Sequence, residues 1–274
     1  IVAKRGALFM VDLLNAVQDK GYTVAHIKTD SIKIPDADDK IIKFVMDFGK
    51  KYGYTFEHEA TYERMCLVND AVYIAKYADG EHEFEIPTTG EKIMTPWTAT
   101  GAEFAVPYVF KTLFTKSKIK FNDLCVTKSV NTTLYLDMNE DLPDVSEYEK
   151  ESKKLMKEIA ATSNEPMTKE IEDKCKRVDE LSSEIEKGHN YIFVGKIGQF
   201  CPILPGCGGG ELMSLRGESD YYAVTGTKGY RFLESEVVKN LGKEKDINES
   251  YFIEMANEAI DHIAQFGSYD EFVS

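Results

Sequence analysis

The chain has 274 residues, long enough for one large or two modest domains. Its 33 Lys and Arg face 47 Asp and Glu, a formal charge of −14 that excludes a uniformly basic coat for nucleic acid. A hydrophobic fraction of 43% suits a globular fold, and no apolar run approaches the length of a membrane span.

Apolar residues at helical spacing predict a helix over residues 2–20, stopped by Gly21. Two β-prone runs, 22–27 and 32–34, flank Thr29-Asp30-Ser31, which is a hairpin signal. Asp30 at its tip reads either as an ordinary turn residue or as a carboxylate that a rigid hairpin fixes for a divalent metal. A second helix is predicted over 38–51, with Ile41, Ile42, Val45, Met46 and Phe48 inward and Gly53 as its end. Residues 54–68 read as one or two extended segments. Residues 72–77 and 82–86 read as a hairpin around Ala-Asp-Gly-Glu. The pattern is α+β, two helices on a small antiparallel sheet. A connector at 87–97 closes a first domain over 1–97.

The second domain, 98–274, reads as mixed and mainly helical. A helix is predicted over 100–114, with Thr100 and Glu103 as a capping box and Pro107 ending or kinking it. Residues 119–136 lean toward strand. Residues 145–186 read as a helical hairpin, opened by a capping box at Ser146 and Glu149 and broken at 164–168, where Pro166 starts the second helix. Residues 191–232 are rich in glycine and aromatics, and helices follow over 233–241 and 250–266.

Charge is unevenly placed. Residues 105–130 carry a net +4 through Lys111, Lys116, Lys118, Lys120 and Lys128, whereas 137–186 carry −8. The lysine cluster is either a phosphate-facing surface or a solvated face. In VTGTKGYRF, Thr225, Thr227, Lys228 and Arg231 suit phosphate contacts and Tyr230 suits stacking; a plain exposed hairpin is the other reading. The loop CPILPGCGGG lacks the Lys-Ser or Lys-Thr of a P-loop. Five widely spaced cysteines oppose a disulfide framework. Cys201 and Cys207 are either a metal half-site or small packed thiols, and a reducing, cytoplasmic setting is expected.

VAHIKTDSIKIP resembles the third palm motif of family B DNA polymerases, Y-x-D-T-D-S. IVAKRGALFMVDLLNAVQDKGYTV resembles the palm helix before that motif. YTFEHEATYERMCLVNDAVYIAKYADG resembles the palm segment L-E-x-E-x-x-Y leading to K-K-R-Y. The order and spacing agree over roughly the first third of the chain. The resemblance implies half of a polymerase palm followed by a thumb-like domain. It implies template-directed nucleotidyl transfer with Mg²⁺ or Mn²⁺, on primer–template DNA and deoxynucleoside triphosphates. Asp30 matches the motif's second Asp and would be a catalytic metal ligand, with Glu59 as an acid close to the metals. Lys28 stands where the first Asp belongs; it would contact a phosphate or pair with Glu59, while Thr29 and Ser31 flank the site. Of K-K-R-Y only Tyr73 matches, as a DNA contact or a strand aromatic, and Lys76 partly substitutes for the basic residues. Thumb contacts to DNA would come from Lys116, Lys118, Lys120, Lys228, Tyr230 and Arg231.

An exonuclease domain, a first palm motif and fingers have no counterpart here. The expectation is therefore the C-terminal part of a phage-like polymerase, inactive alone and acting in the host cytoplasm. Two other classes remain open: a non-catalytic nucleic-acid-binding module derived from a palm, and a protein-interaction subunit of a split polymerase, docking through the acidic helical hairpin.

Overall fold

The structure, a computed structural model, describes residues 2–162, 166–217 and 220–274. In it the chain has the expected α+β character, and its residues divide into two units, Ile1–Ala105 with Ala259–Ser274, and Val106–Glu258.

The first unit begins with α1 (Val2–Gln18), whose Phe9, Met10, Leu13 and Val17 recur on one face and are buried. Gly21 ends the turn beyond it at φ +86°, a conformation costly for other residues. Strands β1 (His26–Ile27) and β2 (Ile32–Lys33) form the expected antiparallel hairpin, with Ile27 opposite Ile32. α2 (Asp39–Lys51) follows, capped by Asp38, whose carboxylate accepts from the backbone N–H of Lys40 and Ile41 at 3.0 Å and from the Tyr22 hydroxyl at 2.9 Å. Both helices and the hairpin share one core: Ile27, Ile32 and Ile34 pack against Leu13, Val17, Ile41 and Val45. Full burial of such a side chain contributes about 1.5–3 kcal/mol relative to exposure. Gly49 lets α2 approach Phe56 closely; a Cβ there would meet the Phe56 ring at 2.7 Å.

The sheet of this unit is β3 (Tyr62–Leu67), β4 (Tyr73–Tyr77) and β7 (Trp97–Thr100), with β4 in the middle. β5 (His82–Glu85) and β6 (Lys92–Thr95) pair separately. The hairpin expected between 72–77 and 82–86 does not form, because both edges of β4 are occupied by β3 and β7. The expected connector 87–97 holds β6 and the start of β7, and Trp97 is buried, so the sheet continues past the expected domain boundary. Thr100 is strand rather than helix cap: its hydroxyl donates to the Ala71 carbonyl at 3.0 Å and accepts from the Tyr73 N–H at 3.3 Å. Glu103 pairs with His262 at 2.9 Å instead of completing a capping box.

In the second unit, α3 spans only Pro107–Phe114, with Pro107 at its first turn, where a missing N–H costs nothing. Its Lys111 is fully buried and bonds both oxygens of the fully buried Asp123, at 2.9 and 2.8 Å. β8 (Val126–Asp137) starts a long antiparallel sheet. α4 (Ser146–Ala161) and α5 (Lys169–Glu186) form the expected helical hairpin. Ser146 does not cap α4; its own N–H donates to Asp144 at 2.9 Å. α5 is capped by the Thr168 side chain, so Pro166 precedes the helix; residues 163–165 of the expected break lie outside the described residues. The glycine- and aromatic-rich stretch becomes β9 (Tyr191–Ile203), β10 (Glu211–Arg216), β11 (Asp220–Ala223) and β12 (Arg231–Glu234). The sheet order is β11-β10-β8-β9-β12. Helices supply much of this unit, but the sheet carries its core, through Leu134, Leu136, Phe200, Leu212 and Phe232 with Tyr251 and Phe252. Cys201 lies in the core with its sulfur 3.4 Å from that of Cys125, while Cys207 stays in the loop; Cys201 is thus a packed thiol.

After β12 come α6 (Ser235–Asn240) and α7 (Ser250–Ala264), and α8 (Tyr269–Val273) ends the chain. The last residues rejoin the first unit. Arg64 donates to the carbonyls of Glu271 at 2.5 Å and Phe272 at 3.2 Å, and the Phe272 ring packs on Trp97. Among the described residues no helix is long and apolar enough to cross a membrane.

Candidate functional site

Alternation along the β1–β2 hairpin turns its isoleucines into the core and leaves the tip to solvent. The turn closes with the Lys28 N–H donating to the Ser31 carbonyl at 2.9 Å. Asp30 and Thr29 are exposed at this tip and Ser31 is half-buried. Asp30 opens onto a groove of about 1030 Å³ within the first unit, which Lys33, Glu57, Glu59, Tyr62, Glu63 and Arg64 also line. The groove wall opposite the hairpin is the irregular segment 55–61 leading into β3, so Glu59 lies before the strand rather than on it. Glu59 is exposed, and its charge, after burial, helps hold the Tyr73 hydroxyl above its usual pKa.

Asp30 and Glu59 therefore line one open groove. Among the described residues no three His, Cys, Asp or Glu side chains gather as a metal site. One or two carboxylates with substrate phosphates are an ordinary donor set for magnesium, which favours hard oxygens and keeps several waters. Asp30 and Glu59 are carboxylates of that type on the groove lining.

Behind the tip is a cluster of cations and rings. The Lys28 ammonium lies 5.8 Å from the centre of the Tyr73 ring, and the Lys33 ammonium lies 5.7 Å from that of Tyr62 and 6.0 Å from that of Tyr73. His26 meets Tyr73 edge-on at 6.5 Å. Burial lowers the His26 pKa, and the charges of Lys28 and Lys33 lower it further against an opposing pull from Asp70. Lys28 thus faces Tyr73 and makes no ion pair with Glu59. Tyr73, the one match to K-K-R-Y, is a half-buried strand residue whose burial raises its hydroxyl pKa. Lys76 is paired with Glu63 at 3.5 Å and lies over the Trp97 ring at 5.9 Å.

The second unit's basic residues are differently disposed. Lys116, Lys118 and Lys120 are exposed after α3, and the Lys120 N–H donates to Asp123 at 2.7 Å. Lys228 is exposed in the turn before β12. Thr227 is buried, its hydroxyl donating to the Val224 carbonyl at 2.7 Å. Tyr230 packs edge-on to Tyr251 at 4.8 Å, and burial with a hydrogen bond to Glu254 pushes its pKa up to about 12. Arg231 donates to the Gly209 carbonyl at 3.0 and 2.6 Å and to Asn139 at 3.0 Å, leaving its side chain only 17% exposed. It is committed to the glycine-rich loop.

His26 and Lys33 are the residues of this site that sequence reasoning passed over. Their signal was the hairpin register: positions 26 and 33 are cross-strand partners and therefore share a face. No protein-family model, curated protein or solved structure matches the chain.

Proposed function

We propose that this chain supplies the C-terminal half of the palm, followed by a thumb-like unit, of a DNA-directed DNA polymerase resembling family B. The observation that carries the reading is Asp30: an exposed residue on a hairpin whose isoleucines are anchored against two helices, lining a groove shared with Glu59. That is what nucleotidyl transfer asks of a fold, a charged group held still by packing and left accessible. Magnesium or manganese, when bound, would lower the pKa of an attacking hydroxyl and offset phosphate charge. Asp30 would be the ligand, and Glu59 would hold positive charge in the groove. Lys28 occupies the place of the motif's other Asp, so a second carboxylate must come from outside this chain, and the chain alone is inactive. Primer–template DNA and deoxynucleoside triphosphates are the substrates. Lys116, Lys118 and Lys228 are exposed bases suited to meet a backbone, and Lys120 is exposed beside the first two.

The test is Asp30→Ala in the complete enzyme. Asp30 is exposed and makes no contact in the core, so the variant should keep its stability to within about 0.5 kcal/mol. Primer extension should vanish; retained extension excludes the metal role. Lys28 favours a second reading, a nucleic-acid-binding module that has lost its chemistry. Under it Asp30→Ala leaves DNA affinity unchanged and the complete protein shows no extension to lose.

A further inference from the structure

Three donors converge on one ring behind the hairpin tip. His26, Lys28 and Lys33 all lie within 6.5 Å of the Tyr73 ring centre by ring or ammonium position. Among the described residues neither ammonium has a carboxylate within ion-pair distance, although the chain carries an excess of acids. Two unpaired like charges beside one tyrosine repel each other, and the ring's attraction for each is a modest return. His26 adds a second, independent sign. It is 8% exposed, and its Nε2 is buried with no hydrogen-bond partner. A buried polar atom left unpaired is costly and asks for an explanation. A ligand with several acceptor oxygens and negative charge answers all three groups at once.

We propose that His26, Lys28 and Lys33, backed by Tyr73 and Tyr62, form a binding site for a single phosphate group. Two ammonium groups match the charge of a phosphate monoester, and the unpartnered imidazole nitrogen of His26 lies beside them at the same ring. Of the acids nearby, the charge of Asp70 acts on His26 and that of Glu59 on Tyr73, and neither pairs with Lys28 or Lys33. Of these residues Lys33 and Tyr62 line the groove, the side from which a phosphate carried on a nucleotide or within a strand would approach. The proposal does not rest on the catalytic reading, since a phosphate site here needs no metal and no second carboxylate.

The experiment is titration of the full chain with inorganic phosphate at constant ionic strength, following the His26 ring signals by NMR. Saturable movement of those signals is expected. Lys28→Ala and Lys33→Ala should each weaken binding about tenfold or more, the ordinary worth of one charge-assisted hydrogen bond. Lys28→Arg should largely keep it and guards against misfolding of the alanine variants. A deoxynucleoside triphosphate and a short single-stranded oligonucleotide, each without added metal, are the further arms. Tighter binding of the first assigns the site to a free nucleotide, and tighter binding of the second to a backbone. His26 signals that stay unmoved in every arm overturn the proposal, as do lysine variants that bind like the parent chain. Asp30→Asn should leave the phosphate titration unchanged, so failure here and failure of the metal role are read separately.

Discussion

The hairpin of the first unit and the glycine-rich loop of the second handle charge in opposite ways. Around the loop, Glu140 accepts from the N–H groups of Gly206 and Gly208 at 2.7 and 3.2 Å, Arg231 grips the Gly209 carbonyl, and Lys243 donates to the Cys207 carbonyl at 2.6 Å. Each charged group there serves the backbone of its own unit. At the hairpin, the backbone closes its turn without help, and Asp30, Lys28 and Lys33 are left with no carboxylate or ammonium partner among the described residues. A loop that lacks regular hydrogen bonds recruits side chains to satisfy its peptide groups, whereas a strand pair satisfies them internally. Charges on a hairpin are therefore the ones free to meet a ligand. Burial likewise separates Lys111 from the exposed Lys116 and Lys118 of the same sequence cluster.

The comparison breaks most visibly at the buried pair. Lys111→Met leaves Asp123 uncompensated in the core and should cost about 3–5 kcal/mol, measured by urea unfolding. Replacing both partners with apolar residues should recover much of that loss, because the desolvation cost disappears with the charges. An intermediate effect is expected at Arg231→Ala, which removes charged hydrogen bonds worth about 1.5–3 kcal/mol. The salt slope of any DNA binding should be unchanged, whereas Lys228→Ala should lower that slope and leave stability alone. A variant of Arg231 with unaltered stability and a reduced slope would reverse the assignment.

The smallest effect is a pH dependence. His189 donates through Nδ1 to Asp137 at 2.6 Å and faces Glu149 of α4 at 3.6 Å, tying the helical hairpin to β8. The hydrogen bond to Asp137 raises the imidazole pKa despite partial burial. A group whose folded pKa is raised stabilises fully below its unfolded value, near 6.5, and loses that contribution as pH climbs through the folded value. Stability should therefore fall modestly above about pH 6.5, and His189→Gln should remove the dependence; an unchanged pH profile in that variant discards the tie.

What was legible in the sequence is what short-range chemistry controls. α1, the hairpin and α2 follow from apolar spacing and the residues that end each element, and the helical hairpin of α4 and α5 from its two stripes. The exposed tip carrying Asp30 follows from the same local rules. Cap residues were less legible, since Thr100 and Ser146 match a pattern that their surroundings do not use. Tertiary structure alone decided that β4 pairs with β3 and β7 instead of β5, that the chain's end rejoins its beginning through Arg64 and Trp97, and that Arg231 turns inward while Lys33 and His26 converge on Tyr73. Strand partners and ion partners lie far apart in sequence. Which of them meet is settled by burying the largest apolar area with every backbone group paired, a global condition that no local window contains.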